Sequence, residues 1–319
     1  MKRITILVPC YNEQDSLPAL SDALKSLMGQ LPQYDWEVLL VNDGSKDNTI
    51  SIIKEIRKED KRFCYVDLSR NFGKENAMLA GFDYATGDAV VIMDADLQHP
   101  PSVIPEMLKK WEEGYDDVYG RRLSRGKESW LRKKLSMWYY SILQKTTRVE
   151  ILQNVGDFRL LDRKCIEELK KLRETERYTK GMYCWIGFKK TAVDFETQDR
   201  VAGESSMSFK ALISLAIDGI TSFTTAPLRM SAVVGFVVSI VAFIYMCFVL
   251  FKTIFIGEDV QGYPTLVILI LFIGGVQLIS LGIIGEYLGK IFNETKNRPV
   301  YVVGEYQGNQ EDNGDNRKD

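Results

Sequence analysis

The sequence predicts an α/β protein whose largely parallel sheet is joined to a C-terminal hairpin of two apolar helices. Three observations carry that expectation. Short β-branched runs alternate with helical stretches over the first two hundred residues, the rhythm of βαβ units. Polar clusters follow these runs directly, where such sheets bind ligands. From Ser231 to Gly285 only three of 55 residues are charged, Lys252, Glu258 and Asp259, in a chain of 319 residues that is 26% charged overall.

The elements follow in order. The apolar runs are Ile4–Val8, Glu37–Val41, Phe63–Leu68 and Ala89–Met93, with helical stretches at Ser16–Gly29, Thr49–Glu59 and Glu75–Tyr84 between them. Two amphipathic segments come next. Trp130–Arg148 repeats Leu131, Leu135, Trp138 and Ile142 at helical spacing, and Phe209–Phe223 carries an apolar stripe. Their Trp, Tyr and Lys content suits a bilayer surface, although a core-packing helix would show the same stripe. The runs Ser231–Phe251 and Pro264–Gly285 hold 21 and 22 uncharged residues, and as helices each spans about 30 Å, the thickness of a hydrocarbon core.

The organisation expected is an α/β domain over 1–208, an interfacial helix over 209–229 and a transmembrane hairpin over 230–290, with spans near 231–252 and 264–286. A tail over 291–319 has a disordered end. Lys210, Arg229, Lys290, Lys296 and Arg298 flank the hairpin. Positive flanks stay inside, so a multi-pass protein of the inner (cell) membrane is expected, with the α/β domain and both termini cytoplasmic. Ile4–Val8 is too short for the core of a signal peptide.

Composition excludes several functions. A formal net charge of -2 argues against a bulk nucleic-acid binder. Five cysteines without a CxxC pair make no zinc or disulfide scaffold. With His99 as the single histidine, a multi-His metal site is excluded.

Chemistry is expected after the strands. The first run ends in Pro9-Cys10-Tyr11-Asn12-Glu13, and the second in Asn42-Asp43-Gly44-Ser45 followed by Asp47 and Thr49. The fourth ends in Asp94-Ala95-Asp96-Leu97-Gln98-His99. Two acids and a Gln within five residues suit Mg²⁺ or Mn²⁺, hard cations that also take substrate phosphates. Two solvated turn carboxylates would give the same spacing.

Together these motifs resemble the nucleotide-sugar site of glycosyltransferase family 2, with its GT-A fold. The chain is most similar to the polyprenyl-phosphate glycosyltransferases, the dolichol-phosphate mannosyltransferase-like branch, and among them to bacterial two-span bactoprenol glucosyltransferases. The supporting residues are Ser69-Arg70-Asn71-Phe72-Gly73-Lys74-Glu75, the Asp94–Pro101 run, Gly120-Arg121-Arg122, Gly156-Asp157-Phe158-Arg159 and Arg200-Val201-Ala202-Gly203-Glu204-Ser205. One departure is Ser206, where the family often has a basic residue.

The resemblance implies residue roles. Pro9, Tyr11, Glu13, Asp43, Lys74, Asp94 and Arg200 would hold the nucleotide sugar. Asp94, Asp96 and Gln98 would hold Mg²⁺ or Mn²⁺, Asp96 most firmly. Arg122, Arg132 and Ser136 would grip the acceptor phosphate, and Asp157 would act as base or position the acceptor. His99 reads as a structural neighbour of the metal motif. The implied reaction is inverting transfer of a hexose, with UDP-glucose favoured and GDP-mannose as alternative, to undecaprenyl or another polyprenyl phosphate. A processive family 2 polysaccharide synthase is a further alternative, but its Gln-x-x-Arg-Trp motif is missing, since no Arg-Trp dipeptide occurs. The partners expected are the nucleoside-diphosphate sugar, polyprenyl phosphate and the bilayer, with no nucleic acid. Gly274, Gly275, Gly282, Gly285 and Gly289 give the second span small faces suited to a homo-oligomer, expected as a tetramer.

Overall fold

A computed structural model describes residues 1–123, 155–175, 177–196, 226–255 and 262–309. The expected interfacial helices over 130–148 and 209–223, the turn at 256–261 and the end of the tail lie outside them. The chain divides into two compact units, Met1–Ala211 with Pro299–Asp319, and Leu212–Arg298.

The first unit is an eight-stranded sheet. Its leading strands are β1 (Lys2–Cys10), β2 (Tyr34–Asn42), β3 (Phe63–Leu68) and β4 (Ala89–Ile92), joined by α1 (Leu17–Gln30), α2 (Thr49–Glu59) and α3 (Lys74–Tyr84). Ile4, Ile6, Leu7 and Val8 of β1 are all buried. A strand covered on both faces needs such a continuous apolar run rather than alternation. β1 pairs in parallel with β2 and with β4, matching Ile6 to Val38 and to Val91. Gly81 of α3 lies so close to β1 that a Cβ would stand 2.1 Å from Leu7 Cδ1, so helix and sheet meet there without a side chain between them.

The later strands are β5 (Asp117–Arg122), β6 (Val155–Asp162), β7 (Lys190–Phe195) and β8 (Val303–Gln307). Helices α4 (Ile104–Glu112), α5 (Arg163–Lys171) and α6 (Thr179–Trp185) accompany them. The sheet order is β7-β5-β6-β4-β1-β2-β3-β8. After β3 the chain crosses to the far side of β1 to form β4, which makes the crevice beyond the ends of β1 and β4 a topological switch point. β6 is antiparallel to β4, with Ile92 opposite Arg159. That register carries Asp157, two residues earlier on β6, level with Asp94, two residues beyond Ile92.

A buried ion pair steadies this side of the sheet. Arg159 Nη1 lies 3.0 Å from Asp117 Oδ2, both side chains being 2% exposed. The guanidinium also sits 3.7 Å from the centroid of the Tyr183 ring on α6. A charge this deep is tolerated only with such partners.

β8 comes from the segment read as a tail. It adds antiparallel to β3 and covers what would otherwise be an open edge. Glu305 accepts from Lys54 Nζ and Tyr65 OH, each at 2.6 Å. Tyr301 OH donates to Asp83, which also pairs with Arg173 at 2.6 Å.

The second unit contains α7 (Ala226–Phe255) and α8 (Tyr263–Thr295), 30 and 33 residues long and packed against each other. Their large apolar side chains, among them Phe236, Phe243, Ile270 and Leu281, point outward. The hydroxyls of Ser239 and Ser280 donate to carbonyls one turn back, which satisfies them within their own helices. Phe272–Thr295 is long and apolar enough to cross a membrane, with mean hydropathy 1.4, and Met230–Tyr245 is a shorter apolar stretch. Gly274, Gly275, Gly282, Gly285 and Gly289 have open space where a side chain would stand.

Candidate active site

A cavity of about 310 Å³ opens at the switch point. Pro9, Tyr11, Glu13, Asp43, Lys74, Asp94 and Asp96, seven of the residues singled out in the sequence, line it. Cys10, Asn71, Gly73, Ala77 and Ala95 complete the lining.

One wall of it is stitched from two loops. Asn12 N–H donates to Ser45 Oγ, Glu13 N–H to Thr49 Oγ1 and Gln14 N–H to Asp47 Oδ2. In return Lys46 N–H donates to Asn12 Oδ1, and Asn48 N–H to Gln14 Oε1. Short polar side chains bond neighbouring backbone in this way, so the loop after β2 serves chiefly as a brace. Asn12 and, in the acidic loop, Leu97 take positive φ values of 55° and 58°. Such left-handed non-glycine residues gather where a fold over-determines a functional loop.

Asp43 is buried and both of its oxygens are engaged. Oδ1 accepts from Phe72 N–H at 2.7 Å and Oδ2 from Gly73 N–H at 2.9 Å. Burial pushes its pKa above the usual carboxylate range, partly offset by those N–H groups. At Gly44 the backbone has φ +59° and a Cβ would meet the Arg70 carbonyl carbon at 2.3 Å. The 70–73 loop therefore folds directly onto the turn after β2, which places Asn71 and Gly73 in the wall.

Lys74 joins the two halves. Its Nζ lies 2.6 Å from Asp94 Oδ1 and 3.1 Å from Asp157 Oδ2. Desolvation works against its charge, but the two carboxylates win and raise its pKa. Burial likewise works against ionised Asp157, yet Lys74 and then Lys180 hold its carboxyl below the usual range. Asp157 Oδ1 is buried with no hydrogen-bond partner among the described residues. Gln98 is half-buried, its N–H donating to Asp96 Oδ1 at 3.1 Å. Burial pushes the Cys10 thiol up, so the cavity offers no thiolate nucleophile.

Arg122, at the end of β5, meets His99 rather than the cavity lining. Arg132, Ser136 and Arg200 lie outside the described residues. Asn71, Gly73 and His99 were not read as site residues from the sequence. The signal for the first two was present in the Ser69–Glu75 run, which sits between a strand and a helix.

Residues 5–170 match glycosyl transferase family 2, and residues 226–291 match the GtrB C-terminal hairpin. The chain belongs to glycosyltransferase family 2. Relatives of this family 2 chain cover nearly all of it. It is 43% identical to an uncharacterized glycosyltransferase of Synechocystis sp. over 96% of both chains. It is 40% identical to the prophage bactoprenol glucosyl transferase homolog of Escherichia coli, over 94% of this chain and 98% of that one. The bactoprenol glucosyl transferase of Shigella phage SfV matches to the same extent. Among solved structures, a mannosyltransferase of Pyrobaculum calidifontis in complex with GDP-Man and Mn²⁺ has a TM-score of 0.43 at 18% identity, over 60% of this chain and 55% of that one. As a family 2 member the chain is a glycosyltransferase with the GT-A arrangement, a mainly parallel sheet with its cavity at the switch point. The matched hairpin and the apolar α8 associate it with a membrane.

The acidic loop fits a hard dication. Asp94 and Asp96 are two carboxylates on one cavity wall, and an ammonium group already stands against Asp94. No group of three or more His, Cys, Asp or Glu residues suited to a metal occurs among the described residues. Mg²⁺ and Mn²⁺ sites of this kind use one or two carboxylates and take their remaining ligands from phosphates and water.

Proposed function

We propose that this family 2 enzyme transfers a hexose, by inversion, from a nucleoside-diphosphate sugar to polyprenyl phosphate at the cytoplasmic face of the membrane. UDP-glucose is the donor favoured and undecaprenyl phosphate the acceptor, which gives a β-linked lipid-phosphate sugar from an α-linked donor. The observation that carries this reading is the Lys74 bridge, which ties Asp94 of the acidic loop to Asp157 of β6 across the crevice. The names of the bactoprenol glucosyl transferases support the acceptor class.

The chain's own residues have separable tasks. Pro9, Tyr11, Glu13 and Asp43 hold the nucleoside, Tyr11 presenting a ring that is 41% exposed. Asp94, Asp96 and Gln98 would hold Mg²⁺ or Mn²⁺, which would supply charge neutralisation for the leaving diphosphate. Arg200 pairs with that diphosphate, and Arg122, Arg132 and Ser136 grip the acceptor phosphate as a multidentate clamp. Asp157, kept ionised by Lys74 and Lys180, orients the attacking oxygen or takes its residual proton. A strong base is unnecessary, because a phosphomonoester has its second pKa at about 6 and is largely dianionic at neutral pH.

The hairpin explains how such an enzyme reaches an acceptor whose tail stays in the bilayer. β8 shares a sheet with β1–β4, so the chain leaves and re-enters the catalytic unit on either side of α7 and α8. Two spans satisfy that connectivity with both ends of the hairpin on the catalytic side, which the basic flanks make cytoplasmic.

The test is transfer by purified protein in detergent with Mg²⁺ or Mn²⁺, polyprenyl phosphate and labelled UDP-glucose, followed by extraction into organic solvent. Label in the lipid phase is the expected result. Label only from GDP-mannose would replace the donor, and none from UDP-glucose, UDP-galactose, UDP-N-acetylglucosamine or GDP-mannose would sink the reading.

A further inference from the structure

His99 lies between the two halves of the site. Its side chain is 2% exposed. The ring stacks on Phe158 at 4.8 Å and 9° and meets Phe195 edge-on at 5.8 Å. Those contacts fix the plane of the imidazole and therefore the direction of both nitrogens. Nδ1 is 3.3 Å from the Asp94 backbone nitrogen and 3.9 Å from Asp94 Oδ2. Nε2 is 3.3 Å from Arg122 Nη2.

Arginine only donates hydrogen bonds, and so does a backbone N–H. A neutral imidazole has one acceptor nitrogen, so two donors compete for a single lone pair. With the proton on Nδ1, Nε2 accepts from Arg122 while Nδ1–H faces the Asp94 carboxylate. With the proton on Nε2, the ring accepts from Asp94 N–H and turns a donor toward the guanidinium. A ring that accepts from Arg122 at Nε2 is neutral, which leaves the Arg122 charge undiminished, as a carboxylate in that place would not. Among the described residues His99 is the partner of the Arg122 guanidinium, whose Nε is buried with none.

We infer that His99 is a positioning residue: its Nε2 holds Arg122 toward the acceptor phosphate, while its Nδ1 keys that arginine to the Asp94 loop on the donor side. The inference rests on the polyprenyl-phosphate reading proposed above.

The experiment compares H99F, H99Q and H99N in the transfer assay, varying polyprenyl phosphate and nucleotide sugar separately. Phe keeps the stacked ring without its nitrogens. Gln puts an amide near the place of Nε2, and Asn near that of Nδ1. H99F and H99N are expected to raise KM for polyprenyl phosphate about tenfold, the worth of one hydrogen bond to a charged group. H99Q should return to within about twofold of wild type, and KM for the nucleotide sugar and Tm should hold in all three. Combining H99F with R122A should cost no more than R122A alone, because both changes remove the same interaction. An unchanged acceptor KM in H99F overturns the inference. So does a failure of H99Q to recover, or a parallel loss of both KM values and Tm that marks a merely structural ring. A wild-type protein that transfers no sugar from any donor overturns the functional reading and takes this inference with it, whereas an active wild type with an indifferent H99F overturns the inference alone.

Discussion

One wall of the crevice, Asn12–Ser16 against Asn42–Thr49, is laced loop to loop by short side chains that bond backbone. On the Lys74 side, behind the cavity lining, Asp157 of β6, Arg122 at the end of β5 and His99 of the acidic loop are held through Lys74, aromatic stacking and the buried Arg159–Asp117 pair. The first construction fixes backbone and leaves little to adjust. The second fixes charges and leaves donors in competition. On the function proposed above, the first suits a rigid nucleotide and the second a lipid phosphate approaching from a membrane.

The largest effect expected is on the acidic loop. Asp96→Ala should cut kcat by about 10³-fold or more while the protein still folds and inserts, because it removes charge neutralisation at the leaving diphosphate. Near-normal transfer by this variant would break the assignment of that loop.

A smaller loss is expected across the crevice. Asp157→Asn should lower kcat by about 10²-fold, the usual worth of a positioned proton acceptor, and less than Asp96→Ala because the acceptor is already ionised. A reversal of that order in a side-by-side assay would make Asp157 the dominant group.

The pH profile sharpens the contrast. Asp157 has a depressed pKa, so its ionised form persists down through mildly acidic pH and is lost only as pH falls below the usual carboxylate range. The acid limb of kcat/KM should therefore sit near pH 6, at the second ionisation of the acceptor. A phosphonate acceptor, whose second ionisation lies higher, should move the limb up. In Lys74→Met the charge that offsets burial is gone, so the Asp157 pKa should rise. A limb insensitive to the acceptor would assign it to the protein.

The smallest effect belongs to the stitched wall. Ser45→Ala loses the bond from Asn12 N–H and the one donated to Asn42 Oδ1 and should cost about 1–2 kcal/mol of stability, measured by denaturant unfolding, with kcat within about twofold of wild type.

Much of the first wall was legible in the sequence. Four apolar runs and three helical stretches predicted β1–β4 and α1–α3 within a few residues, because each strand is covered on both faces and reads as a continuous apolar block. The polar clusters after β1, β2 and β4 then marked the cavity. The second wall was less legible. The level placement of Asp94 and Asp157 depends on the antiparallel register of β4 with β6, which no local pattern encodes. His99 looked like a bystander because its role depends on Arg122, 23 residues away at the end of β5. β8 is five residues long and pairs with a strand more than two hundred residues earlier, so its alternation carried no signal alone.

The final strand also changes what a deletion means. Because Val303–Gln307 is woven into the sheet beside β3, the membrane hairpin is an insertion within the catalytic unit and not an appendage to it. Trimming the chain after residue 298 would strip a row of backbone partners from β3 and bare an aggregation-prone edge. Excising 226–298 and bridging the gap would be the gentler way to set the enzyme free of lipid.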